Sequence, residues 1–248
     1  MSAAWLEGRV IANRHWTGTL FSLRVAAQRL EFEAGQFVKL ALDVAGERVA
    51  RPFSFVNPPQ DPVLEFYGVI VPEGPLSPRL ARLAAGDPIW LSARPAGFLV
   101  LSELPDAETL WLLATGTGIA PFLAILRTEP PWQRFGNVVL VHAARIAREL
   151  VYRDLVLEIQ QQHKDRLRYV TFVSREPAPG SLAGRIPAAI ADGRLEAAAG
   201  RRLTAEGSQV MLCGNPAMLK DSSAALAARG MRKHRRRAPG QISVESFW

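Results

Sequence analysis

The sequence predicts two domains, an all-β N-terminal half followed by a doubly wound parallel α/β half. Three observations carry this reading. The chain has 248 residues, between one and two domains at roughly 150 residues each. Before about residue 92, short apolar runs recur at close spacing, separated by Gly, Pro, Asp and Asn. After about residue 100 such runs alternate with longer helical stretches. The boundary falls within 96–102, giving a first domain over 1–99 and a second over 100–248.

In the first half, strands are predicted at 6–11, 20–25, 36–42, 51–56, 63–71 and 88–92, rich in Val, Phe, Leu and Ile. Residues 42–48 read as a hairpin, and 76–83, after Gly74 and Pro75, as one short helix. Six strands in about 90 residues make a small barrel or sandwich. In the second half, strands are predicted at 110–114, 138–142, 169–174 and 210–213. Helices are predicted between them at 120–126, 148–162 and 188–193, and after them at 217–229. The run 196–200 is Ala-rich and reads as low-complexity.

Composition sets limits. Apolar residues are 48% and charged residues 21%, which excludes wholesale disorder and a collagen-like fibre. One cysteine, Cys213, excludes an intrachain disulfide, a Cys-rich zinc site and a resident iron–sulfur cluster. Four scattered histidines form no metal-ligand spacing, so no metal is expected. The N-terminus lacks a signal-peptide core, because Glu7 and Arg9 interrupt it. A reducing cytoplasmic setting fits these facts. The stretch 109–126 is uncharged over a length at the lower edge of a membrane span. Its centre, Thr115-Gly116-Thr117-Gly118, instead breaks it into strand, loop and helix, so no membrane insertion is expected.

The net charge of +7 invites a nucleic-acid reading. Its distribution argues against one. Residues 229–248 carry six bases against one acid, Glu245, so the excess is local. No aromatic-interleaved groove or nucleic-acid motif accompanies the run 232–237.

In an open parallel sheet, ligands sit outside the carboxyl ends of the strands. Those ends read Thr115-Gly116-Thr117-Gly118, Ala144-Arg145, Ser174-Arg175 and Cys213-Gly214-Asn215. The Gly-x-Gly loop has the strand-to-helix context that cradles a pyrophosphate, although a plain tight turn fits as well. Arg145 and Arg175 at equivalent strand ends, with Arg185 following, point to a shared anion. An acidic ribose partner about 20 residues beyond the Gly loop is not evident, and arginine in its place fits a 2′-phosphate, hence NADP over NAD. In the first half, Arg51-Pro52-Phe53-Ser54 offers a phosphate partner, a stacking ring and a hydroxyl, and Gly74 to Ser77 offers a second phosphate turn. The aromatic end Phe247-Trp248 is costly to leave in water and is expected to dock on core or on a cofactor ring.

Jointly, these motifs resemble the ferredoxin/flavodoxin–NADP(H) reductase family in its compact bacterial branch, along essentially the whole chain. Further matches are Gly35-Gln36-Phe37, Glu65-Phe66-Tyr67, Leu76-Ser77-Pro78, Val173-Ser174-Arg175-Glu176, Gly184-Arg185-Ile186-Pro187 and Leu212-Cys213-Gly214-Asn215-Pro216. The resemblance implies FAD on an N-terminal antiparallel Greek-key barrel and NADP(H) on the C-terminal sheet. FAD would meet Arg51, Pro52, Phe53, Ser54, Tyr67, Gly68, Val69, Gly74, Leu76, Ser77, Thr117, Phe247 and Trp248. NADP(H) would meet Thr115, Gly116, Ala144, Arg145, Ser174, Arg175, Arg185, Gly214 and Asn215. At the reacting centre it implies Ser54 beside the flavin, Cys213 beside the nicotinamide, and Glu245 assisting proton movement. Phe53 and Phe247 stand where many members have Tyr, so stacking survives and a hydroxyl is lost.

The implied activity is hydride transfer between NADP(H) and FAD, with single electrons passing to an acidic ferredoxin or flavodoxin. A flavin reductase or oxygenase reductase component is the alternative within enzymes. A basic nucleic-acid-binding protein is the alternative from another class. The expected state is a cytoplasmic monomer without nucleic acid or membrane partners.

Overall fold

The computed structural model of the chain describes residues 4–246. Its first half is one curled antiparallel sheet of six strands. These are β1 (Trp5–His15), β2 (Leu20–Ala27), β3 (Phe37–Val44), β4 (Glu47–Ser54), β5 (Leu64–Val69) and β6 (Pro88–Ser92), ordered β4-β3-β6-β1-β2-β5. Phe55, just past β4, bridges Phe66 of β5, and the Val56 amide donates to the Glu65 carbonyl. The two outer strands thus meet and the sheet closes on itself as a barrel. The inside holds Val10, Leu23, Val38, Leu40, Phe55, Phe66 and Leu91, with Phe32 stacked on Phe55 at 3.8 Å.

The expected hairpin lies between β3 and β4. Ala45 and Gly46 both take positive φ, 51° and 84°, as a two-residue turn matching strand twist requires. β1 runs four residues further than its apolar run predicts. Asn13, Arg14 and His15 stay paired to β2, Arg14 and His15 exposed and Asn13 half-buried with Nδ2 donating to the Leu80, Ala81 and Leu83 carbonyls, so their polarity hid the strand. The helix expected at 76–83 is the single turn α1 (Ser77–Leu80).

The second half is a parallel sheet of six strands, β7 (Thr109–Thr115), β8 (Asn137–Ala144), β9 (Leu167–Val173), β10 (Leu182–Ala183), β11 (Ser208–Cys213) and β12 (Ile242–Glu245). The order is β10-β9-β8-β7-β11-β12. Alternate residues of β7 face opposite ways, Leu110 and Leu112 into one cluster and Trp111 and Leu113 into the other. Helices α2 (Ala120–Leu126), α3 (Pro130–Arg134) and α4 (Arg153–Gln162) lie with the first cluster. α5 (Ile186–Ala191), α6 (Arg194–Ala199) and α7 (Pro216–Ala227) lie with the second. The Ala-rich run is therefore part of a helix, α6, whose Leu195 and Ala199 are buried. β10, β12 and α3 are too short for periodicity to reveal. Among the described residues no helix is long and apolar enough to cross a membrane.

The helix expected at 148–162 is split. A 3₁₀ turn (Ala147–Glu149) precedes Tyr152, which takes φ +64°, and α4 begins after it. A left-handed non-glycine residue is unfavourable unless its surroundings hold it. Tyr152 is held from the barrel. Its hydroxyl donates to Glu65 Oε1 at 2.7 Å and accepts from Ser22 Oγ at 2.5 Å, and Ser22 accepts from Trp16 Nε1 at 2.7 Å. Its ring meets Tyr67 edge-on at 5.2 Å. A residue of the second half is thus bolted to three residues of the first. Tyr152→Phe keeps the ring and removes both hydroxyl bonds, at a cost of about 1–3 kcal/mol. The expected fall in thermal midpoint is about 2–4 °C per kcal/mol lost. An unchanged midpoint by calorimetry would show that these bonds contribute nothing.

Candidate active site

In the parallel sheet the strand order reverses between β7 and β11. Such a switch point leaves a crevice at the carboxyl ends of the strands. The loops there are locked together. Gly118 lies so close to the Cys213 carbonyl and the Gly214 Cα that no side chain fits, and Gly214, at φ +132°, lies as close to Thr115. The Asn215 amide donates to Thr115 Oγ1 at 2.8 Å, while the Asn215 side chain accepts from the Ala217 amide and caps α7. Beneath the loop, His142 is fully buried, with Nε2 3.1 Å from the Gly116 carbonyl. Burial lowers its pKa to about 4. The ring is therefore neutral at pH 7, and Nε2–H donates to Gly116, which sits at φ +53°. His142 was visible in the sequence within a strand-end motif, but its service to the Gly loop was not.

The barrel faces this crevice across a cavity of about 380 Å³, within the size range of cofactor sites. Its barrel wall is Arg51, Pro52, Phe53, Ser54, Tyr67, Gly68 and Val69, with Gly74, Leu76 and Ser77 at one end. Thr117 and Gly214 come from the second half. All of these were expected from sequence. Val71 and Ala120 also line it and were not named, while Pro75 and Gly118, which line it too, fall within the Gly74–Ser77 turn and the Gly-x-Gly signal. Gly68 has a packing reason, since a Cβ there would stand 2.7 Å from Phe21 and 3.1 Å from Phe53.

Two buried polar atoms in this wall, Ser54 Oγ and Tyr67 Oη, have no partner among the described residues. An unpaired buried hydroxyl costs about 1–3 kcal/mol, so the wall is built for a ligand that offers hydrogen bonds. A cavity of this size lined by an aromatic ring, two unpaired buried hydroxyls and Arg51 fits a flavin nucleotide.

The expected NADP residues form a second set. Ala144 and Arg145 end β8, Ser174 and Arg175 follow β9, and Arg185 follows β10. The Arg175 amide donates to the Arg145 carbonyl at 2.9 Å, so two of these ends are joined directly. All three arginines are exposed on the same edge as Thr115, Gly116 and Asn215.

Glu245 ends β12 and pairs in register with Cys213. Its Oε2 is buried without a partner among the described residues, and a Cβ on Gly97 would stand 2.7 Å from Oε1. Burial raises its pKa to about 8. Burial, then Glu245, pushes the Cys213 thiol well above its ordinary range, so Cys213 is a neutral contact group and not a thiolate. Phe247 and Trp248 lie outside the described residues. The basic C-terminal run is partly engaged. Arg236 pairs with Glu103 at 2.5 Å and lies over exposed Phe98, and Arg229 pairs with Glu196.

Family models match both halves, an oxidoreductase FAD-binding domain over residues 9–97 and an oxidoreductase NAD-binding domain over 112–224. The protein named flavodoxin/ferredoxin–NADP reductase in Shigella flexneri is 52% identical over 247 residues, covering 99% of this chain and 100% of its own. Its namesake in Escherichia coli (strain K12) is 51% identical over the same length, with the same coverage. This chain belongs to the flavodoxin/ferredoxin–NADP reductase family. A solved ferredoxin NADP+ reductase from Neisseria gonorrhoeae, with bound FAD and NADP, superposes at a TM-score of 0.94 with 33% identity over 100% of both chains. The reductase fold therefore accounts for both the barrel and the parallel sheet.

The raised pKa of Glu245 links to stability with a definite sign. Between about pH 4.5 and 8 the folded protein keeps a proton that the unfolded chain has lost. Stability from this group is therefore full below pH 4.5 and declines as pH rises, by at most about 1.4 kcal/mol per pH unit. Glu245→Gln should flatten that decline in a pH series of thermal midpoints. The same slope in the variant would mean that Glu245 titrates normally.

Proposed function

We propose that this chain moves a hydride between NADP(H) and FAD and passes single electrons to an acidic ferredoxin or flavodoxin. The observation that carries this is the cavity itself. The flavin-type wall of the barrel and the Thr117–Gly214 wall of the switch point face each other across it. The halves are read as a FAD domain, 1–99, and an NADP(H) domain, 100–248, in keeping with the two family matches.

FAD, when bound, supplies the chemistry of accepting a hydride and returning electrons one at a time. The chain's own groups hold and orient. Arg51 would pair a phosphate, the turn from Gly74 to Ser77 would receive the pyrophosphate, and Phe53 would offer its ring to the flavin. Ser54 Oγ and Tyr67 Oη provide the hydrogen bonds they lack within the chain. Gly118 and Gly214, by letting the two loops pack against each other, would hold Cys213 where the nicotinamide is expected, and close approach is where the rate originates. Arg145, Arg175 and Arg185 hold the 2′-phosphate. Glu245, protonated at neutral pH by its burial, holds a proton near this centre.

The names of the relatives support a ferredoxin or flavodoxin as partner. The chain's net charge of +7 and its local basic excess favour an acidic carrier. A single cysteine leaves no site for an internal cluster, so the carrier is a separate molecule. One chain holding both domains is read as a cytoplasmic monomer.

The deciding experiment is the visible spectrum of the purified protein, followed by NADPH titration with candidate carriers. Flavin absorbance, bleaching by NADPH and turnover with ferredoxin or flavodoxin are expected. Strong turnover with free FMN and none with either carrier would indicate a flavin reductase. A colourless protein that takes up no FAD would overturn the reading entirely. Carrier reduction should fall with rising salt more steeply than reduction of a small uncharged quinone. Arg175→Ala should raise the Michaelis constant for NADPH about tenfold or more, the loss of one charge-assisted bond, with little change for NADH.

A further inference from the structure

Arg145 does not stand alone at its strand end. Its Nε donates to Glu149 Oε2 at 3.1 Å and its Nη2 to Glu149 Oε1 at 2.5 Å, a two-point pair. Its own amide also donates to Glu149 Oε2, at 3.2 Å. The two partners differ in setting. The Arg145 side chain is 52% exposed and the Glu149 side chain 11%. Burial alone would raise the carboxyl's pKa, but the side-chain and backbone bonds from Arg145 hold it below the ordinary range. Glu149 is thus a fixed anion set into the protein, with an exposed cation tied to it.

The surrounding loop is braced in the same manner. Glu149 closes the 3₁₀ turn Ala147–Glu149. The Ala147 amide donates to Glu176 Oε1 at 2.7 Å, and the Arg175 amide donates to the Arg145 carbonyl. The loops carrying Arg145 and Arg175 are therefore cross-linked by two bonds.

We propose that Glu149 is a positioning residue that presets Arg145 for the 2′-phosphate of NADPH and so helps set the preference for NADPH over NADH. The physical reason is the planar fork of the guanidinium. Glu149 occupies its Nε–Nη2 edge, and the Nη1 hydrogens remain for an incoming phosphate. A free arginine would lose rotamer freedom on binding, whereas a tied one has lost it already. The negative charge of Glu149 works against phosphate binding. The inference is that orientation outweighs this, because the carboxylate is already neutralised by a two-point pair.

This inference rests on the reading that Arg145 contacts the 2′-phosphate, and the experiment separates the two. Glu149→Ala, Glu149→Gln, Arg145→Ala and the Arg145→Ala/Glu149→Ala double variant are purified and checked for flavin content. Steady-state constants for NADPH and NADH are measured with ferricyanide, together with inhibition by 2′-AMP and 5′-AMP. Glu149→Ala should raise the NADPH Michaelis constant and the 2′-AMP inhibition constant about tenfold, in the range of one charged hydrogen bond. The turnover number, the NADH constant and 5′-AMP inhibition should stay within about twofold. Glu149→Gln keeps one acceptor oxygen and should show the same selective change at about threefold, which decides the matter if the alanine variant folds poorly. The double variant should be no worse than Arg145→Ala. Unchanged or tighter 2′-AMP binding in both Glu149 variants would overturn the inference, the tighter result marking Glu149 as a mere counter-charge. If Arg145→Ala itself leaves the preference for NADPH intact, the assignment of the 2′-phosphate fails instead.

Discussion

The site depends on the contact of two backbones at the crossing of β7 and β11. Gly118 presses on the Cys213 carbonyl and Gly214 presses on Thr115, with one hydrogen bond from the Asn215 amide closing the gap. A side chain at either glycine would force the strand ends apart. Because Thr117 and Gly214 form one wall of the cavity and Arg51 to Ser54 the other, the spacing of the crevice follows from that contact. His142 below and the Asn215 cap above keep each loop in its shape. The chemistry sits where the backbone leaves least freedom, as preorganisation requires.

The second constraint fixes one half relative to the other. Tyr152 reaches out of the parallel-sheet half and is bonded to Ser22 and Glu65 of the barrel, while its ring touches Tyr67. Tyr67 is also part of the flavin wall. The join and the cavity therefore share a residue. The strained φ of Tyr152 is the local cost of that arrangement.

Much of this was legible in the chain. The change of rhythm near residue 100 separated the barrel from the parallel sheet, and the Arg51–Ser54, Gly74–Ser77 and strand-end motifs, with the family resemblance, named most of the cavity wall. What stayed hidden has physical reasons. β12 has four residues, paired with β11 and bridged at Ile242 to Lys233, so no local period marks it. The break before α4 depends on Tyr152 finding partners more than 80 positions away in sequence, and a sequence window sees only an apolar periodic stretch. Glu149 reads as an ordinary surface acid until the turn folds it under Arg145. Orphaned hydroxyls at Ser54 and Tyr67 are likewise properties of packing, invisible in composition.

The position of β12 has a consequence for how the protein comes into being. This strand is the edge of the sheet, pairs with β11 in parallel, and carries Glu245 to Cys213. It also follows every other strand of the two sheets in chain order. The barrel strands, joined mostly to one another, leave the ribosome more than a hundred residues earlier and can close on their own contacts. A nascent chain can thus acquire the barrel wall of the cavity well before the strand that sets Glu245 beside Cys213. Vectorial synthesis separates the making of the barrel wall from the completion of the parallel sheet, and a chain cut short before residue 242 lacks the pairing that sets Glu245 beside Cys213.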